Sequence, residues 1–313
     1  MLKNKLKNNE AGILLYGLTP PKAHIDESEK HRIAGIWRER VESIGVDGIV
    51  LYDLQDESDR NASDRPFEFL QTLAPEIYYQ NYLNTSVPAI IYKAVSKYEK
   101  GELKAYLNGL KSGAISVFVG VSSKDTPVKT SLDEAYEIAN KTGAFFGGIC
   151  IPERHAKKHD EHLRVAKKIE NGCEFFITQA VYNLENAKNF IDDYAKMPCK
   201  KAPIIFTFTP CGSEKTLEFI KWLGISIPQS YENMLKNSGD ILNASVDLSL
   251  ELFNFLYKYA ANKGISVGAN VESVSTRKVE ILAALNLLDG IKKIIKTSPY
   301  SYTKGFIRGF GGV

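Results

Sequence analysis

Short apolar runs recur eight times along the chain, each leading into a segment of helical periodicity, and no interval is rich in consecutive strands. The runs begin near Ile13, Gly48, Val87, Ile115, Phe145, Glu174, Pro203 and Ile265. A strand that returns through a helix lies beside and along its predecessor, so this alternation predicts an all-parallel α/β sheet. Eight such units predict a closed (β/α)8 TIM barrel. An open doubly wound sheet is the runner-up, disfavoured because no GxGxxG follows the first strand. A length of 313 residues suits one barrel. The expected layout is an extension at 1–11, the barrel at 12–296 with extra helices before strand eight, and a tail at 297–313.

Composition narrows the class of partner. Hydrophobic residues make up 44% and charged residues 25%, enough for a large core. Net charge is +3, with Lys and Arg interleaved among Asp and Glu, so nothing points to nucleic acid. No segment approaches the roughly 18 apolar residues of a membrane span. Cys150, Cys173, Cys199 and Cys211 lack CxxC spacing, which suits reduced thiols in a cytoplasmic protein. The basic start MLKNKLKNNE runs into Ala11–Leu18 and then Pro20-Pro21 without a small-residue cleavage site, unlike a signal peptide. A homo-oligomer is compatible with these totals.

A barrel places its chemistry at the C-terminal ends of the strands, and the stretch from Gly147 to Asn183 holds the most informative ends. Phe145–Ile151 reads as a buried strand closed by Pro152, after which Glu153, Arg154 and His155 leave its end. A helix of about four turns then carries Leu163, Val165, Ala166 and Ile169, with Lys167 and Lys168 in its last turn and Gly172 beyond. Glu174–Thr178 is the next strand, and Gln179 is the first polar side chain past it. An amide that both donates and accepts suits a ligand edge of mixed hydrogen-bonding character.

Glu153 and Glu272 each follow a strand, and two carboxylates at one mouth can do acid-base work if burial raises one pKa. Tyr182 and Asn270 are further candidates for the substrate, Tyr52 and Ser122 for a cofactor. His155, His159 and His162 share the spacing of one helix face, which can hold zinc. With no HExxH and no fourth committed ligand, a solvated helix start and no metal is the expectation. Cys211 lies in a strand-exit loop, with no His near in sequence to activate it.

These landmarks together resemble the catalytic barrel of the methylenetetrahydrofolate reductase family. Leu18-Thr19-Pro20-Pro21, Pro152-Glu153-x-His155, Lys167-Lys168-Ile169-x-Asn171-Gly172, Ile177-Thr178-Gln179 and Ile227-Pro228 occur in the family's order, from about Ile13 to Ile291. The resemblance implies a barrel that binds a reduced folate and, in most members, FAD. Hydride then passes from NADH or NADPH through the flavin to the one-carbon unit, on the route to methionine biosynthesis. It implies that Gln179 serves the pterin, while His155, from the strand-five loop, and Lys168 serve the flavin.

The departures are as specific. The proton-donating glutamate of the family's first strand falls at Gly17. The Arg-Gly-Asp at the fourth strand end corresponds to Val119-Gly120-Val121, unless Asp125 substitutes, and the flavin-binding His of strand three has no counterpart in Pro88–Tyr92. The expected function is a reductase-like oxidoreductase using FAD or taking hydride directly. The alternatives are a folate-dependent one-carbon or methyl transferase and a non-catalytic folate-binding subunit.

Overall fold

The computed structural model describes residues 2–56, 63–110, 113–121 and 127–298. Helix α1 (Leu2–Lys7) comes first. The first half of the chain then builds β1 (Leu14–Leu18), α2 (Glu27–Ser43), β2 (Gly48–Leu51), α3 (Pro75–Ile77), β3 (Ala89–Ala94), α4 (Lys100–Asn108), β4 (Ile115–Val119) and α5 (Leu132–Thr142). The second half holds β5 (Phe146–Cys150), α6 (Pro152–Lys158), α7 (Glu161–Glu170), β6 (Phe176–Ala180), α8 (Leu184–Lys196) and β7 (Ile204–Phe208). It ends with α9 (Glu214–Trp222), α10 (Gln229–Asn237), α11 (Ile241–Asn262), β8 (Val267–Glu272) and α12 (Lys278–Thr297). The eight strands are parallel and close in sequence order, β8 pairing back onto β1. This is the (β/α)8 barrel that the alternation predicts. No helix among the described residues is long and apolar enough to cross a membrane.

Two apolar layers hold the barrel. Strand residues pointing out, such as Leu14, Tyr16 and Leu18, pack under the helices, whereas Ile13, Leu15, Val50, Ile90, Val117, Ile177 and Ile205 fill the interior. The expected extension is part of this core: Leu2 and Leu6, one turn apart on α1, are buried in the interior cluster. Gly48 makes room for Leu2, since a Cβ there would lie 2.6 Å from Leu2 Cδ2. A basic helix with one apolar stripe thus stops the N-terminal end and leaves the other end for chemistry.

Three local features differ from the sequence expectation. The helix after β5 is broken into α6 and α7, because His159 adopts a left-handed conformation with φ 52°. Strand β6 runs on to Ala180 through an irregularity, Ile177 pairing Ile205 and Ala180 pairing Thr207. Thr178 Oγ1 accepts the Thr207 amide at 3.0 Å there, replacing a ladder bond, so Gln179 lies within the strand. Strand β8 extends three residues past Ala269, carrying Asn270 and Glu272 on the barrel wall.

Candidate functional site

Strand alternation decides which side chains meet at the C-terminal mouth. Gly17 follows Leu15 on the inward face of β1, and Asn270 and Glu272 follow Gly268 on that of β8. Tyr52, just past β2, and Tyr92 of β3 pack on the interior cluster with their rings edge to face, centroids 4.9 Å apart. Asn270 Nδ2 donates to Tyr52 Oη at 2.9 Å and to Thr207 Oγ1 at 3.2 Å. Its Oδ1 is buried without a partner, an acceptor that a donor on a bound molecule would satisfy.

Gly17 is the direct partner of Glu272 across the β1–β8 seam. A Cβ on Gly17 would sit 2.6 Å from Tyr52 Oη and 2.9 Å from Glu272 Cβ, so those two side chains own the space above the glycine. Burial pushes the Glu272 carboxyl up to about 7, against the pull of the Tyr52 hydroxyl. Tyr52 and Tyr92 are raised well above the usual tyrosine range, by burial first and then by the charge of Glu272. The mouth therefore holds one acid able to keep its proton near neutral pH, flanked by neutral phenols.

A second polar group lies where β5 and β6 end. Glu153, in the first turn of α6, is 6% exposed, and neither carboxylate oxygen has a hydrogen-bond partner. Burial raises its pKa to about 7, with the nearby backbone amides of Glu153 itself and Ser226 pulling weakly the other way. Gln179 Nε2 donates to Leu223 O at 3.1 Å, and Asn183 caps α8 while its Nδ2 reaches Ser226 Oγ at 3.1 Å. The segment after α9 is thereby tied down beside Glu153 and Gln179.

This burial carries a stability prediction. The folded pKa of Glu153 lies above its ordinary value, so its contribution is fully present below about pH 4.3 and is lost as pH rises through about 7. The loss amounts to about 3 kcal/mol. Urea midpoints of the unmodified chain should fall between mildly acidic and alkaline pH, and Glu153→Gln should flatten that fall. An equally steep variant would show that the carboxyl is not a buried acid.

Several other polar side chains, the expected His155, Lys168 and Tyr182 among them, face elsewhere. His155 turns to the helix layer, its Nε2 3.1 Å from Asp193 Oδ2 on α8. Lys168 Nζ donates to Ile149 O at 2.5 Å, and Glu161 Oε1 accepts the Ile151 amide at 2.8 Å, so α7 straps the end of β5 from outside. Tyr182 Oη donates to Thr209 O at 2.5 Å and pins the β7 exit. Asp53 serves the β3 exit, accepting from the Ala94 amide and from Lys97. Lys93 pairs with Glu76 beneath the rings of Tyr98 and Tyr106. Cys211, its thiol pushed up to about 11 chiefly by burial, is a poor nucleophile. Ser122 and Asp125 lie outside the described residues. Sequence reasoning passed over Tyr92, although the Ile90–Tyr92 alternation signals its inward face. Nothing in the sequence signals that Leu223 and Ser226 come to Gln179 and Asn183.

The family model described as methylenetetrahydrofolate reductase matches residues 131–265. A solved structure of an uncharacterized protein from Clostridium thermocellum, described as binding two copies of 5-methyl-5,6,7,8-tetrahydrofolic acid, is 46% identical. The match covers 94% of this chain and 99% of that one, with a TM-score of 0.82. The chain belongs to the methylenetetrahydrofolate reductase family. More distant structures are a 2,3-dimethylmalate lyase (11% identical, TM-score 0.48, 97% of this chain and 90% of that one) and a 7,8-dihydropteroate synthase from Vibrio fischeri ES114 (9%, 0.47, 93% and 95%). Neither is similar enough to bear on function. Among curated proteins none matches.

Within a methylenetetrahydrofolate reductase family barrel, FAD is the group to test against these residues. Of the positions expected to hold it, His155 bonds Asp193, Lys168 bonds the β5 backbone, and Tyr52 is enclosed by Asn270, Tyr92 and Glu272. The strand-three His and strand-four Asp are absent from the sequence. The three described side chains expected to hold it are thus engaged by partners within the chain. Where the family's first strand has its glutamate, Gly17 stands beside Glu272 of β8, with Tyr52 Oη and Glu272 Cβ filling the space over the glycine.

Proposed function

We propose that this chain binds a reduced folate at the barrel mouth and reduces the folate-bound one-carbon unit with hydride taken directly from NADH or NADPH. The observation that carries the proposal is the Gly17–Glu272 pair, in which a half-buried acid with its pKa raised to about 7 stands beside the position of the family's proton donor. Protonated Glu272 gives its proton to the ring nitrogen that leaves as the methylene bridge opens. Hydride from the nicotinamide then adds to the freed carbon. The products are a methyl folate, the oxidised nicotinamide and the Glu272 carboxylate, which solvent reprotonates. The Clostridium relative supports the ligand class, because what it binds is the methyl product of such a step.

Gln179 is assigned to orient the pterin. Gln179→Ala should weaken folate binding roughly tenfold or more, about 1–3 kcal/mol, with little change in thermal stability, as calorimetry and melting curves would show. Full affinity in the variant would confine Gln179 to holding the Leu223 carbonyl.

The proposal as a whole is tested by nicotinamide oxidation in the presence of methylenetetrahydrofolate, by protein whose spectrum lacks a flavin band. Turnover is expected without added FAD. A strict requirement for FAD would replace direct hydride transfer, and no turnover by folded protein would remove the reductase assignment. A second reading, methyl transfer from the folate to an acceptor, is favoured by the methyl form of the relative's ligand. It predicts tight binding of methyltetrahydrofolate and no nicotinamide oxidation.

A further inference from the structure

On the outer layer, α6, α7 and α8 assemble a cluster that the mouth does not use. The left-handed turn at His159 sends the chain from α6 into α7, so His155 and His162 belong to different helices. Asp193 joins them from α8. One ligand atom from each of His155, His162 and Asp193 lies within 4.8 Å of the other two. The His155 Nε2 to Asp193 Oδ2 separation is 3.1 Å, and the two imidazoles meet edge to face with centroids 5.1 Å apart. His155 is fully buried, and Nδ1 of both rings is buried without a hydrogen-bond partner. An imidazole–carboxylate pair accounts for His155 and Asp193 alone. It does not account for a second imidazole turned onto the pair with a bare buried nitrogen.

We propose that His155, His162 and Asp193 bind a divalent transition metal of the zinc class. Two imidazoles and a carboxylate form a donor set for a borderline ion and a poor one for calcium or magnesium, which take oxygen ligands. With ligand bonds of about 2.0–2.2 Å, donor atoms around a tetrahedral ion stand roughly 3.4 Å apart. The His155–Asp193 separation is already close to this, and a small rotation of the His162 ring closes the set. Lys196 holds Asp193 Oδ1 at 2.9 Å and leaves Oδ2 for the ion. The exposed His159 ring, centroid 5.6 Å from that of His155, is placed to supply the fourth ligand, and water fills that position otherwise. The ion fastens α6, α7 and α8 to one another and so steadies α6, which carries Glu153 two residues before His155. The site is independent of folate chemistry.

Full-length protein stripped with a chelator would be titrated with zinc chloride by calorimetry and with cobalt(II) by absorption, and melted with and without zinc. One ion per chain is expected, with intense tetrahedral cobalt bands and a zinc-dependent rise in Tm. His162→Gln and Asp193→Asn should each weaken zinc binding by at least the roughly 10–100-fold that loss of even an outer partner costs. Both side chains are partly exposed, so the variants should keep the circular dichroism of the parent. Absence of saturable zinc binding by the unmodified chain, or undiminished binding by both folded variants, would overturn the site. Should a variant not fold, the cobalt spectrum of the unmodified protein decides: octahedral, weak bands exclude the proposed tetrahedral zinc-class site.

Discussion

Replacing Glu272 with Gln will lower kcat/KM for folate reduction by about 10²–10⁴, the range a positioned general acid contributes, while folate affinity stays close to that of the parent. Gln matches the size of Glu, keeps an acceptor for the Tyr52 hydroxyl, and carries no proton to give. The pH profile separates this role from a structural one. Because burial holds the Glu272 carboxyl up to about 7, the acid form dominates below that pH and is lost above it. The parent should show kcat/KM level below about pH 7 and falling about tenfold per unit above, as expected for loss of one required proton. Residual activity of the variant should be level across the same range. Steady-state nicotinamide oxidation from pH 5.5 to 9, with folate affinity measured by calorimetry at each end, is the measurement, using roughly these limits to bracket the pKa. A variant that turns over like the parent would return Glu272 to the wall of the barrel and leave Glu153 as the buried acid to examine.

Why the barrel was legible and much of the mouth was not follows from the same physics. Strand cores read well because a parallel sheet covered by helices is apolar on both faces, as in Leu14–Leu18 and Ile204–Phe208. Strand ends read poorly for a related reason. The last inward positions of a barrel strand face a polar mouth, so hydrophobicity stops at Ala269 while the ladder continues through Asn270 to Glu272. Gln179 is the same case, made harder by the extra residue that Thr178 accommodates against β7. The break at His159 left no mark, since nothing in HAKKHDEH separates a continuous helix from two helices. Family motifs identified Lys168 and His155, yet a motif states which residue is present and not where its side chain goes. Here both turn away from the mouth, onto the β5 backbone and onto Asp193. The basic start concealed a plug because only Leu2 and Leu6, on one face, carry the burial.

Moving the acid back across the seam gives the sharpest expectation. Gly17 and Glu272 are direct partners in adjacent strands, and the glycine survives there because Tyr52 Oη and Glu272 Cβ would stand 2.6 Å and 2.9 Å from any Cβ. Gly17→Glu alone therefore crowds two side chains into one space and places two carboxyls together, a substitution expected to cost about 1–3 kcal/mol in packing before any charge repulsion. It should also displace Tyr52 from Asn270 and lower turnover at least tenfold, roughly the effect of losing that alignment. Glu272→Gly alone removes the acid and should be as inactive as Glu272→Gln. In the double variant the volume across the pair is conserved, the contact with Glu272 Cβ is removed so that Tyr52 alone has to yield, and a single carboxyl again stands over the mouth beside Tyr52. The two changes should thus be strongly non-additive, with the double variant more stable than Gly17→Glu and at least about tenfold more active than either single variant, as contacting residues in one network behave. Denaturation midpoints and kcat/KM for the four proteins complete the cycle. Strict additivity in both quantities would mean that Glu272 does not stand in for an acid on β1, and the proton for ring opening would have to come from another group.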